Sequence, residues 1–143
     1  DAYEKTRQYD LAFKEYSALM NLTPFVAAPY LKTAEMLVKM GIFQSAYPIL
    51  LQSLEFENSA YANKWIGQIL IQNRQIKRAI PYLENAKNIQ ANDPQLIYNL
   101  SGAYASNCEF RKALDELDYL DQISPRFGEA QQLRTKIQNT MKH

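Results

Sequence analysis

Apolar positions along this chain repeat on two scales. The shorter scale is helical. Within 43–56, Phe43, Ala46, Tyr47, Leu50, Leu51 and Leu54 recur at three- and four-residue steps, the pattern of a helix with one buried face. The longer scale is carried by alanines: Ala12, Ala46, Ala79 and Ala113 lie 34, 33 and 34 residues apart. Four residues after each stands a large apolar or aromatic residue (Tyr16, Leu50, Leu83, Leu117), and nine residues before each stands another (Tyr3, Leu37, Leu70, Tyr104). Self-similarity at this spacing predicts a solenoid whose units share a continuous core and do not fold alone. Turn signals separate the apolar segments at Met40-Gly41, Gln72-Asn73, Asn92-Asp93-Pro94 and Ser106-Asn107. From Arg126 to Met141, the residues Ala130, Leu133, Ile137 and Met141 share one face, which predicts a last helix with one side on the stack and one in water.

Units of 34 residues starting near Ala27, Ala60 and Pro94 place a small residue eighth (Ala34, Gly67, Ser101) and a large one eleventh (Leu37, Leu70, Tyr104). The repeat alanine is then twentieth and the following apolar residue twenty-fourth, while Pro24 and Pro125 take position 32 of the first and last units. This frame resembles the tetratricopeptide repeat. The middle units depart from it, with Asn58 and Ala91 at position 32, and Tyr30, Asn63 and Ile97 replace the family's Trp at position 4.

The resemblance implies an all-α fold, a right-handed α-solenoid of about 3.5 helical hairpins plus a capping helix. One domain over 1–143 is expected, with a partial repeat at 1–26, full repeats at 27–59, 60–93 and 94–127, and the cap over 126–141. The first (A) helices should run near 25–40, 60–73 and 94–107, and the second (B) helices near 9–21, 43–56, 76–90 and 110–122. Pro48 and Pro81 each follow a repeat alanine by two residues, and are expected in the first turn of a B helix, where a missing N–H costs little. Gly41 suits a left-handed helix-ending position, and Gly67 suits a close approach of two helices. Tyr3 takes position 11 of an A helix whose first ten positions are missing, so the chain is expected to be a segment of a longer protein. The apolar face this uncovers (Leu11, Ala12, Phe13, Tyr16 and Leu19) is expected to fray or to associate with another copy.

Composition narrows the partners. The 143 residues suit one domain, and a net charge of +1, from 16 basic against 15 acidic residues, gives no electrostatic reason to expect nucleic acid or an anionic membrane. Pentatricopeptide arrays, which have a similar period and read RNA, are disfavoured on that ground. No apolar run approaches the roughly 20 residues that span a bilayer. Ten Asn, twelve Gln and ten Tyr give a polar, uncharged surface of a kind common in bacterial proteins. The single cysteine, Cys108, excludes an internal disulfide framework and is neutral about compartment.

Candidate chemistry is sparse. The only histidine is the terminal His143, one Cys and one His cannot build a four-ligand zinc site, and the four glycines are too scattered for a phosphate loop. No metal or cofactor is implied. The acidic clusters Glu55/Glu57 and Asp115/Glu116/Asp118 fall on B helices, whose polar faces should meet solvent. Cys108 stands where the family often has a turn glycine, should be exposed, and has only Arg111 nearby to lower its pKa. No catalytic residue is assigned. The expected function is that of a protein–protein interaction module, binding a peptide or helical segment in its concave groove. The alternative is an accessory, non-catalytic segment of a larger bacterial enzyme such as a hydrolase or transferase. A third reading is an assembly scaffold.

In the family, A-helix positions 2, 5, 6, 9, 12 and 13 face the concave groove. Carried over, the resemblance implies a partner-binding face of Leu31, Glu35, Tyr61, Lys64, Trp65, Gln68, Gln72, Tyr98 and Asn99, flanked by Val38, Lys39 and Ile71, with Gly102 leaving space. Trp65 either packs between neighbouring A helices or anchors a ligand. Lys64, Gln68 and Asn99 are suited to hydrogen-bonding an extended peptide. The carboxylate clamp of chaperone-binding members is incomplete. Lys64 and Asn99 match it, but Gln68 stands for an Asn, and Glu129 and Leu133 occupy the places of a Lys and an Arg.

Overall fold

The computed structural model describes residues 7–11, 13–15, 18 and 27–142. Its helices are α1 (Ala27–Lys39), α2 (Phe43–Leu54), α3 (Ala60–Gln72), α4 (Ile76–Ile89), α5 (Pro94–Ser106), α6 (Phe110–Ile123) and α7 (Glu129–Met141). Residues 7–11 and 13–15 are also helical, and no strand occurs among the described residues. Tyr3, Ala12, Tyr16, Leu19, Pro24 and His143 lie outside the described residues, and with them most of the expected partial repeat. Of the face predicted to be uncovered there, Leu11 is exposed, whereas Phe13 packs partly buried against the core.

The helices pair as hairpins, α1 with α2, α3 with α4 and α5 with α6, and each hairpin packs on the next. The inner helices α3 and α5 touch, and α7 lies on α6 and reaches α5. The repeat frame is the core. Ala46, Ala79 and Ala113 are fully buried, as are Leu50, Leu83 and Leu117 one turn later. Each such leucine stabilises the stack by about 1.5–3 kcal/mol. The small residues at position 8 admit close contact: a Cβ added to Gly67 would stand 2.6 Å from Leu83 Cδ2. Ser101 uses the same proximity, its hydroxyl donating to the Ala113 carbonyl at 2.8 Å and so tying α5 to α6.

The three hairpin turns share one geometry. Gly41, Arg74 and Cys108 adopt φ of 76°, 62° and 61°. In the first turn the Gly41 N–H donates to Val38 O at 3.0 Å and the Ile42 N–H to Leu37 O at 2.9 Å. The pairs Arg74–Ile71 with Gln75–Leu70, and Cys108–Ala105 with Glu109–Tyr104, repeat it. This left-handed cap satisfies the last carbonyls of each A helix. Helix starts are capped at Ser59, whose hydroxyl accepts from the Ala62 N–H at 3.1 Å, and at Asp93, whose carboxylate accepts from the Leu96 N–H at 3.2 Å.

Two expectations shift. Pro48 and Pro81 lie inside α2 and α4, each five residues after the helix start, and so in the second turn. The bond each removes is on a solvent-exposed face, where water can take the freed carbonyl, so the helices continue. The last helix opens at Glu129 because residues 124–128 first form a turn, with the Phe127 N–H donating to Ser124 O at 3.1 Å.

Candidate functional site

The predicted face is distributed over α1, α3 and α5, and its residues meet different fates. Leu31 is partly buried and packs on the N-terminal core cluster, and Val38 is buried within it. Glu35 pairs with Lys39 one turn later at 3.2 Å, an exposed contact worth little in free energy. Trp65 stacks on Phe43 of α2 at 6.2 Å and 19°, and meets Tyr61 of its own helix at 6.4 Å and 53°. Its packing partners are therefore the start of the preceding outer helix and its own preceding turn, and the indole remains partly exposed. Burial, with Glu35 adding to it, raises the Tyr61 hydroxyl to about 12, so Tyr61 is a neutral donor at ordinary pH.

Lys64 is already engaged. Its Nζ lies 2.9 Å from Asp93 Oδ2, the same residue whose other oxygen caps α5, so one carboxylate joins two repeats. Nothing in local sequence links residues 29 positions apart, and this contact was not legible there. Gln72 is exposed at the end of α3. Gln68 and Asn99, both half-buried, border a cavity of about 250 Å³ together with Tyr98 and Gly102. Asn99 Oδ1 accepts from Gln95 at 3.0 Å, and Tyr98 packs on Phe127 of the loop before α7 at 5.3 Å. The structure thus brings Tyr61, Lys64 and Trp65 together at one end, and Gln68, Tyr98 and Asn99 around a cavity at the other.

The outer helices carry a different surface. Asp115 is exposed, but Glu116 is largely buried and pairs with Lys87 at 2.9 Å, and Asp118 and Asp121 both bind Arg134 of α7. Of the acidic cluster, Asp115 and Asp118 thus stay exposed, while Glu116 is drawn into a contact between α6 and α4 and Asp118 pairs at the surface with Arg134 of α7. Tyr104 donates to Glu84, and burial followed by that bond and the neighbouring carboxylates holds its hydroxyl far above the usual tyrosine range. Cys108 is exposed, as expected. Among the described residues no group of His, Cys, Asp and Glu has metal-ligand geometry, and no helix is long and apolar enough to cross a membrane.

No protein-family model matches the chain, and no curated protein matches its sequence. Solved structures do match. MamA superposes with a TM-score of 0.87 at 21% identity, covering 99% of this chain and 84% of that one. YrrB, described as a TPR protein with an unusual peptide-binding site, superposes with a TM-score of 0.89 at 17% identity over 97% and 72% of the two chains. The first TPR of Spaghetti (RPAP3), solved bound to the HSP90 peptide SRMEEVD, gives 0.74 at 11% identity over 83% and 98%. The chain has the tetratricopeptide-repeat fold, a right-handed α-solenoid of helical hairpins.

Proposed function

We propose that this chain is a protein-interaction module that binds a peptide or helical segment of a partner along the face of α1, α3 and α5. The observation that carries this reading is the run of half-buried aromatic and amide side chains on that face, Tyr61, Trp65, Gln68, Tyr98 and Asn99, ending in an open cavity. Aromatic groups with polar tips supply contact area at low entropic cost, and amides pair with a peptide backbone. Two solved structures of the same fold are described as peptide-binding or peptide-bound, which supports the reading. The repeat boundaries at 27–59, 60–93 and 94–127 are the units over which such a ligand would be read.

The test is retention of a partner by the intact chain, compared with Trp65→Ala and Gln68→Ala. Loss of the same partner with either variant supports the face. Retention unchanged by both would contradict it.

A further inference from the structure

Two adjoining cavities lie where α7 closes against α5. The larger, of about 410 Å³, is walled by Phe110, Leu133 and Ile137, with exposed Cys108 and Lys136 at its rim. The smaller, of about 250 Å³, runs from there toward Ile71 and Tyr98. Both are lined by Gly102, Ser106 and Leu133, so they form one trough crossing α5 at Gly102. The missing side chain opens it, since a Cβ at Gly102 would meet nothing within 4 Å. The larger cavity alone falls in the range of about 300–1,000 Å³ usual for ligand sites. Its lining is uncharged except for Lys136, which forms no ion pair with any described residue.

A lone cation beside an apolar trough is complementary to an anionic group carried next to a large apolar side chain. The geometry points to the α5–α7 trough as the pocket that takes a large apolar side chain of a partner peptide, with an adjacent Asp or Glu of that peptide at Lys136. This rests on the interaction-module reading and deepens it. The binding anchor moves from Trp65, which is already committed to Phe43 and Tyr61, to the seam with the last helix.

The probe is a set of peptides selected from a random display library on the whole chain. The selected sequences should pair Leu, Met, Phe or Trp with Asp or Glu, and a synthetic consensus peptide should slow iodoacetamide labelling of Cys108. Gly102→Leu should weaken that peptide about tenfold or more with an unchanged helical spectrum, while Gly102→Ala should leave binding intact. Lys136→Glu, on an exposed site, should weaken it about tenfold and turn the selected preference to Lys or Arg. Peptides indifferent to Gly102→Leu and Lys136→Glu that leave Cys108 fully reactive would overturn the trough. If Trp65→Ala or Gln68→Ala weakens those same peptides, the module reading stands without it. A library that yields no binder removes both. Protection of Cys108 by dodecanoate, but by none of the selected peptides, overturns the peptide as occupant.

Discussion

The buried side-chain amide of Asn63 donates to Asn58 Oδ1 at 2.8 Å and to the Ser59 carbonyl at 2.8 Å. Asn63 stands where repeats of this type carry Trp, and Asn58 stands where they carry Pro. The two departures from the pattern are thus one local structure, a polar staple at the entry to α3. A buried amide is tolerated there because both of its protons find acceptors.

Breaking this staple from either side should not cost the same. Asn63→Ala removes both hydrogen bonds and leaves a hole, so it should destabilise the chain by about 2–3 kcal/mol, whereas Asn58→Ala loses one partner and should cost about 1 kcal/mol. The double variant should fall short of the sum, because the two changes delete the same bond. Urea unfolding of the four proteins measures this, and strict additivity would mean the contact carries no energy.

Gly67 and Gly102 share a helical backbone but should respond oppositely to alanine. At Gly67 the new methyl meets fully buried Leu83 at 2.6 Å, and overpacking of about 1–3 kcal/mol should outweigh the gain in helix propensity. At Gly102 nothing lies within 4 Å, so the propensity gain of roughly 0.5–1 kcal/mol should appear as a higher melting temperature. Equal effects at both sites would contradict the packing described.

Much of the fold was legible because it is periodic. Ala46, Ala79 and Ala113, the leucines one turn on, and the small residue at Gly67 all declare themselves by spacing, and each is buried where the frame places it. Gly41 announced its left-handed turn for the same reason. Arg74 did not: neither its side chain nor its charge favours positive φ, and the Gln72-Asn73 signal points to the residues just before it. Lys64 reads locally as a free groove cation, but Asp93, 29 residues away, holds it. The trough at α5 and α7 escaped for a similar reason. Its lining comes from the last helix as well as from A helices, and the register of that helix against the stack is a tertiary fact.

The two non-glycine turns should be strained relative to Gly41. Arg74→Gly and Cys108→Gly should each raise stability by roughly 1 kcal/mol, and Gly41→Ala should lower it by a similar amount. Thermal unfolding checks the signs. A drop for both glycine variants would mean that the left-handed assignments at 74 and 108 are wrong.

Alkaline pH should loosen the stack through Tyr61 and Tyr104. Tyr61 is raised from 10.0 to about 12 and Tyr104 lies higher still, so between these values the unfolded chain loses tyrosine protons that the folded chain keeps. Fewer protons bound in the unfolded state means that stability falls as pH rises. The contribution is fully present below pH 10 and is lost through about 12. Tyr61→Phe should flatten this fall, visible in denaturant midpoints collected from pH 8 upward. An unchanged slope would show that Tyr61 ionises alike in both states.

The central claim, that the face of α1, α3 and α5 receives the partner, is tested most directly by amide and indole chemical-shift mapping of the labelled chain titrated with a selected peptide. Shifts are expected at the Trp65 indole, Gln68, Asn99 and Gly102, with the exposed residues Arg78 and Asn85 of α4 and Asp115 of α6 unmoved. Shifts confined to those exposed residues, with the first set silent at saturation, would contradict the claim.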